Sequence, residues 1–166
     1  MKKITLIQKK ALLTLHIVFS GILLGCMVVF LILNITAAAT SDPRVFQACY
    51  TVMLVLARSS VRASTIGAVV TGVLLSVLTH WGLVRYYWII AKELLTLLSI
   101  GVGLVGIYVW SLRAFELSET AGMNALHDPG FLANRLYLFT GVALQIVSLV
   151  ALLALSVFKP WGKRAA

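Results

Sequence analysis

The chain has 166 residues, of which 61% are hydrophobic and only 11% are charged, and its mean hydropathy is +1.02. Soluble domains average about 45–50% apolar and about 25% charged residues, and a domain of this size has too little interior to hide so many apolar side chains. The composition therefore indicates a membrane protein. The net charge of +9 does not point to nucleic acid, because the basic residues cluster on short flanks of apolar segments, where lipid headgroups and topology explain them.

Four apolar segments are long enough to cross the hydrocarbon core of a bilayer, which takes about 20 helical residues. The spans are predicted at Ala11–Ile35, Ala63–Leu83, Tyr86–Leu112 and Phe131–Phe158. A fifth apolar stretch, Val45–Ala57, is too short to span, and Arg58-Ser59-Ser60-Val61-Arg62 separates it from the second span. We interpret this stretch as an additional short helix that lies on the surface or packs obliquely, leads into the second span and could be continuous with it.

The distribution of charge predicts the orientation of these spans. The N-terminal tail, the short loop with Arg85 and the C-terminal tail carry eight Lys or Arg and no acidic residue, whereas the opposite side carries five Arg beside four acidic residues. The positive-inside rule then makes both termini cytoplasmic. With mostly short turns, the prediction is an all-α, integral-membrane, up-down-up-down four-helix bundle that forms a single domain. The polar stretch Arg113–Gly130 is interpreted as an outer loop.

Two small residues at Gly21-x-x-x-Gly25 lie on one face of the first predicted helix. Small residues in this spacing allow a neighbouring helix to approach closely. The other interpretation is that some glycines of the spans make room for a flat cofactor. Glycines alone do not distinguish these two roles.

Ionisable residues inside a membrane span are costly, so each is a functional candidate. They are His16, His80, Lys92 and Glu93, and the predicted topology places all four at a similar depth near the cytoplasmic side. Two neutral imidazoles on facing helices can supply both axial nitrogens of a b-type haem, and a lysine at that level can pair with a haem propionate. The competing interpretation is that His16 and His80 satisfy ordinary hydrogen bonds and that Lys92 extends to the headgroups.

The remaining candidates are weaker. His127 is predicted to be a solvated turn residue in the outer loop. Cys26, Met27 and Met53 are soft ligands of the type that Cu(I) prefers, but they show no repeated metal-binding spacing. The sequence has no phosphate-binding glycine loop, no Ser/His/Asp set and no zinc spacing.

Two segments carry a resemblance to a known group of proteins. They are Leu15-His16-Ile17-Val18-Phe19-Ser20-Gly21-Ile22-Leu23-Leu24-Gly25 and Tyr87-Trp88-Ile89-Ile90-Ala91-Lys92-Glu93-Leu94-Leu95. The pattern resembles the small four-helix bacterial membrane proteins that include the copper-resistance D domain and, more distantly, the J-type haem-binding protoporphyrinogen oxidase. The resemblance implies roles for His16 and Lys92 only, since His80 comes from the topology. Two departures are the absence of Trp-x-Gly-Gly after His16 and the presence of Glu93 where Leu is usual.

The sequence therefore predicts a membrane protein that binds haem b through His16 and His80, with Lys92 as a contact to a propionate or to a quinone. Electron transfer with a quinone or a porphyrin-related redox step would follow, which makes an oxidoreductase one outcome. The alternative is a non-catalytic accessory subunit or a small transport component, for copper or another substrate, without haem. The expected partners are the lipid bilayer and either a quinone or another membrane protein, with homo-oligomers possible and no nucleic acid.

Overall fold

The protein is described by a computed structural model that covers residues 4–79 and 86–161. These residues fold almost entirely into helices. The elements are α1 (Leu6–Ala39), α2 (Pro43–Leu56), a first π-helical segment (Ala57–Val61), α3 (Arg62–Leu78), α4 (Tyr87–Ile100), a second π-helical segment (Gly101–Ile107), α5 (Tyr108–Ala121), a 3₁₀ helix (Gly122–His127) and α6 (Pro129–Phe158).

The helices join into four long rods, each long and apolar enough to cross a membrane: Leu6–Ala39, Pro43–Leu78, Tyr87–His127 and Pro129–Phe158. Rods that follow each other in the chain run antiparallel. His16 near the start of α1 contacts Thr71 near the end of α3, and Lys92 near the start of α4 contacts Ser156 near the end of α6. Contacts between α2 and α5 relate the second and third rods in the same way. The predicted four-helix bundle of a multi-pass membrane protein is confirmed at this level.

Local sequence signals set the ends of the rods. Thr5 and Gln8 form a reciprocal capping box at the start of α1, with backbone-to-side-chain distances of 2.9 and 3.2 Å. Asp42 and Asp128 each precede a proline and cap the next helix through a carboxylate oxygen, 2.8 Å from the Arg44 amide and 2.9 Å from the Phe131 amide. Proline suits the first helical turn, where its missing N–H costs nothing, so the two Asp-Pro pairs start α2 and α6.

Residues 58–62 do not break the helix, so the short helix and the second span are continuous, which is the alternative that the sequence left open. The short helix is α2, and the first π-helical segment connects it directly to α3, so one rod of 36 residues results. Arg58 and Arg62 are exposed and therefore do not disturb the packing. The guanidinium of Arg62 lies 5.3 Å from the centre of the Tyr108 ring, a cation–π contact with the third rod.

The predicted outer loop at residues 113–130 is also wrong, because most of it is helical. α5 continues the third rod to Ala121, and the 3₁₀ helix follows. The α-helix ends at Gly122, whose φ of +53° only glycine adopts without strain. Polar residues in this region therefore do not mark the end of the helix.

The bundle has two halves that differ in packing. We define the loop half as α1 from Cys26 onward, α2, α5, the 3₁₀ helix and α6 up to Leu138, and the terminal half as the remainder of α1 and α6 with α3 and α4. The fully buried aromatic side chains of the described residues all lie in the loop half: Phe30, Phe46, Tyr50 and Phe131. In the terminal half, Ser, Thr and Gln side chains take many of the buried positions, including Ser64, Thr65, Thr71, Ser99, Gln145 and Ser148.

The rods are longer than a bilayer requires. They have 34, 36, 41 and 30 residues, whereas about 20 suffice to span. The acidic residues of the turns and α5 belong to the loop half. Strongly exposed apolar side chains occur in both halves, such as Leu94, Leu97 and Val147 in the terminal half and Ile32, Val55 and Leu136 in the loop half.

The Gly21-x-x-x-Gly25 pair does not serve packing between the helices within residues 4–79 and 86–161. A Cβ atom added at either glycine would meet nothing within 4 Å. The close helix contacts are made by other glycines instead. A Cβ at Gly67 would lie 2.7 Å from the Phe19 ring, and one at Gly141 would lie 2.5 Å from Cζ3 of Trp110.

Candidate functional site

His16 is oriented by α3. Its Nδ1 lies 3.0 Å from the Ala68 carbonyl oxygen and 3.0 Å from Oγ1 of Thr71. A carbonyl oxygen can only accept, so Nδ1 carries the proton and donates it. In the neutral imidazole Nε2 then holds a lone pair. Among residues 4–79 and 86–161, Nε2 has no hydrogen-bond partner, so this nitrogen is available to a ligand.

Gly72 provides the space that the imidazole occupies. A Cβ atom added at Gly72 would lie 3.2 Å from Cε1 of His16, which is closer than ordinary van der Waals contact. Thr71 on the same turn donates its hydroxyl hydrogen to the Gly67 carbonyl oxygen at 2.6 Å. Its oxygen is thereby fixed in position beside Nδ1. The ring of His16 therefore lies within hydrogen-bond distance of a backbone carbonyl and a hydroxyl. It fits against α3 because Gly72 has no side chain.

Lys92 is held inside the bundle. Its Nζ donates to Oγ of Ser156 on α6 at 2.9 Å, and Ser156 in turn donates to the Leu152 carbonyl oxygen at 2.7 Å. Nζ also lies 6.0 Å from the centre of the Trp88 ring. An ammonium has three donors, so the bond to Ser156 leaves it able to bind an anionic group as well.

Glu93, the neighbour of Lys92, does not pair with it. One carboxylate oxygen, Oε1, is buried and has no hydrogen-bond partner within the described part of the chain. Adjacent residues of an α-helix point about 100° apart, as expected from the sequence. Lys92 and Glu93 therefore lie on different sides of α4.

The structure describes two of the three predicted site residues and gives each a different neighbour. His16 bonds to α3 and Lys92 bonds to α6. His80, the third, lies outside the described residues. His16 lies beside Gly72 of α3. Gly72 is six residues, or about 9 Å of helix rise, before the end of α3 at Leu78.

Sequence reasoning missed several polar residues that the structure places in the interior. Gln145 is only 2% exposed, and its Oε1 has no hydrogen-bond partner among the residues described. Ser99 is 6% exposed and its Oγ is likewise without a partner in that set. An amide inside an apolar span is a detectable signal, because it is costly in lipid unless it is used. Ser156 gave no such signal, since a serine near the end of a span is common.

Other candidates are placed away from this region. His127 is exposed in the 3₁₀ helix of the loop half, as predicted for a turn residue. Cys26 and Cys49 are both free and buried. Within residues 4–79 and 86–161, no group of three or more His, Cys, Asp or Glu side chains could hold a metal ion. A haem held by two histidines does not need such a group.

Comparison with protein-family models, with curated proteins and with solved structures found no match to this chain.

Proposed function

We propose that this chain is a b-type haem protein of the bacterial cytoplasmic membrane, with both termini in the cytoplasm. Its proposed role is electron transfer with a membrane quinone or a porphyrin-related redox step. The observation that carries the proposal is the geometry of His16, whose Nδ1 donates to the Ala68 carbonyl and whose Nε2 keeps its lone pair. Histidines that bind metals in proteins are oriented in this way, with the second ring nitrogen donating to a carbonyl or carboxylate.

The proposed site residues would hold different parts of a haem. Nε2 of His16 and the ring of His80 would hold the iron. Lys92 would bind a propionate or the head of a quinone while Ser156 holds its side chain. When bound, a b-type haem supplies one-electron chemistry at its iron.

The protein residues would tune that chemistry in identifiable ways. The bond from Nδ1 to Ala68 increases the basicity of the imidazole and fixes its orientation. Three fully buried apolar side chains of the third and fourth rods, Ile107, Leu138 and Val142, lie farther from the termini than Lys92.

The first test is the absorption spectrum of the full-length protein purified in detergent. The proposal expects a red preparation with a low-spin haem spectrum. His16→Ala should abolish or strongly change that spectrum because it removes a ligand, and His127→Ala is the matched control, since His127 is exposed in the other half. A colourless preparation without iron from cells supplied with haem would reject the proposal and favour an accessory or transport role.

His80→Ala decides the second ligand. If both histidines bind one iron, each single variant should disturb the spectrum, and the double variant should be no worse than the more severe single one, because residues of one site act as a unit. An unchanged spectrum in His80→Ala together with a lost one in His16→Ala would place the second ligand elsewhere.

Lys92→Arg separates a site lysine from one that only reaches the headgroups. Arginine keeps the charge but not the compact ammonium that Ser156 binds. The proposal expects Lys92→Arg to lower haem content or shift the spectrum at unchanged expression. Normal haem in Lys92→Ala would remove Lys92 from the site.

The proposed orientation has its own test. A reporter fused to the C-terminus should be active only in the cytoplasm, because the tails carry basic residues without acidic ones. An external reporter signal would place the His16 site near the other face of the membrane.

A further inference from the structure

The second and third rods each contain one π-helical segment, and the two segments contact each other. The first is Ala57–Val61 and the second is Gly101–Ile107. The first and fourth rods, α1 and α6, are uninterrupted α-helices of 34 and 30 residues. The regular α-helical hydrogen bonding therefore changes at one level of the bundle, in the two rods that carry α3 and α4.

The backbone hydrogen bonds are rearranged in the same way at the end of both segments. The Arg62 amide donates to the Ser59 carbonyl oxygen, three residues back. The Tyr108 amide donates to the Val105 carbonyl oxygen, also three residues back. The Arg62 guanidinium lies 5.3 Å from the centre of the Tyr108 ring, so the two rods are joined where the segments end. Helices bend sharply at π-helical turns and at glycines, so this level is where the second and third rods are able to bend.

The helices pack differently on the two sides of these segments. On the loop side, α2 contacts α1 and α5, and α6 contacts α5 and α1, so the four helices form a closed ring. On the terminal side, α3 packs on α1 and α4 packs on α6. Among the residues described, α3 and α4 have little contact with each other. The terminal half is therefore open along one edge, between α3 and α4.

Polar contacts attach α3 and α4 to the uninterrupted helices. Nδ1 of His16 on α1 donates to the Ala68 carbonyl oxygen of α3 at 3.0 Å. Nζ of Lys92 on α4 donates to Oγ of Ser156 on α6 at 2.9 Å. Hydrogen bonds between helices of membrane proteins are individually weak. These two contacts therefore hold α3 and α4 in place but do not lock them.

We propose that the two π-helical segments are hinges on which α3 and α4 swing sideways, so that the gap between them opens and closes. The uninterrupted α1 and α6 are the fixed frame, and the closed ring of the loop half holds α2 and α5 still. In the described structure both moving helices are docked on the frame. Movement of α3 separates His16 from Ala68, and movement of α4 separates Lys92 from Ser156, so the hinges control access to the candidate site. The hinges do not depend on bound haem.

Distances between pairs of spin labels test the hinge of α3. The full-length chain is purified from cells without added haem and placed in lipid nanodiscs, after both native cysteines are replaced by Ala. The first pair is Val73→Cys on α3 and Val150→Cys on α6, at positions that are 48% and 51% exposed. The control pair is Val52→Cys on α2 and Leu136→Cys on α6, at positions that are 43% and 60% exposed. Both pairs join the second rod to the fourth, but on opposite sides of the π-helical segment.

The expected result is two distance populations for the first pair and one narrow population for the control pair. Val73 lies 12 residues beyond Val61, so a bend of about 20° separates the two populations by about 6 Å. Deletion of Ser59 removes the additional residue that a π-helical turn contains, which restores the α-helix and keeps α2 and α3 in register. The deletion should abolish the second population.

The hinge of α4 has a milder variant, which serves if the Ser59 deletion fails to fold. A Cβ atom at Gly101 would meet nothing within 4 Å, so Gly101→Ala should fold while it restricts the backbone of the hinge. Its readout is the label pair Ile17→Cys on α1 and Leu94→Cys on α4. The matched control is Gly25→Ala, which adds the same methyl group in open space on the frame. Only Gly101→Ala should reduce the displaced population.

A single population for Val73 and Val150, as narrow as that of the control pair, would overturn the proposal. So would a second population that persists in the folded Ser59 deletion, or one for Ile17 and Leu94 that responds equally to Gly101→Ala and Gly25→Ala. Melting temperatures show which variants are folded. Because every measurement uses protein without haem, the hinges and the proposed function can fail separately.

Discussion

The loop half and the terminal half are built from the same four rods but are held together differently. In the loop half, the rings of Phe46, Tyr50 and Phe131 pack with centroids 5.1 to 5.9 Å apart. In the terminal half, hydrogen bonds such as those of His16 and Lys92 and close contacts at glycines join the helices. Burial of apolar surface is favourable where the alternative is water, whereas lipid offers apolar side chains an equivalent environment. The halves thus differ in what joins their helices, with aromatic packing in one and hydrogen bonds and glycine contacts in the other.

The largest expected effect tests this difference with one residue type. Phe131→Ala should destabilise the protein by about 3–5 kcal/mol, because it leaves a cavity beside Phe46 and Tyr50. Phe158→Ala is the control, since Phe158 is 79% exposed at the terminal end, and it should change stability little. Denaturant unfolding in detergent measures both. Equal losses would mean that aromatic packing does not distinguish the halves.

A smaller effect is expected from adding a methyl group where the rods touch. Gly141→Ala places a Cβ 2.5 Å from the Trp110 ring, and overpacking of this kind costs about 1–3 kcal/mol. Gly25→Ala adds the same methyl group in open space and should be neutral or slightly stabilising, because alanine favours the helix. Melting temperatures of the pair check this. A destabilised Gly25→Ala would reveal a helix partner from a second chain.

Interhelical hydrogen bonds should contribute similar amounts to the free energy of unfolding in both halves. Ser156→Ala removes the bond to Lys92 in the terminal half, and Asn134→Ala removes the 2.9 Å bond to the Trp110 carbonyl in the loop half. Such bonds in membrane proteins average about 0.6 kcal/mol. Unfolding free energies in detergent measure both losses. A much larger loss for Ser156→Ala would show that Lys92 depends on Ser156 to remain inside.

The smallest effect concerns the Tyr50 hydroxyl, which is buried without a hydrogen-bond partner among the described residues. Tyr50→Phe keeps the ring and removes the oxygen, so stability should stay within about 0.5 kcal/mol or rise. Thermal unfolding of Tyr50→Phe and of the parent protein measures this change in stability. A loss above about 1 kcal/mol would show that water or another group bonds to this hydroxyl inside the aromatic core.

The predicted fourth span agrees with the structure. It begins two residues after the start of α6 at Pro129, which Asp128 caps. The prediction of an outer loop failed at Arg113, where the chain stays helical, whereas continuity of the helix past Arg58 was left open by the sequence. Charge reports that a helix has left the apolar layer, but helical hydrogen bonds are satisfied within the backbone and continue into water.

Composition and apolar run length alone determined that this is a multi-pass helical membrane protein, because a bilayer admits only helices or closed barrels and the runs have helical length. The residue types at His16 and Lys92 identified them as candidates, since charge in a span is costly. Only the tertiary structure decided that Ala68 orients His16, that Ser156 holds Lys92 and that Gly103 faces Gln145. Those pairings depend on how the rods are shifted along one another, and that register results from side-chain packing across the whole bundle rather than from any local pattern.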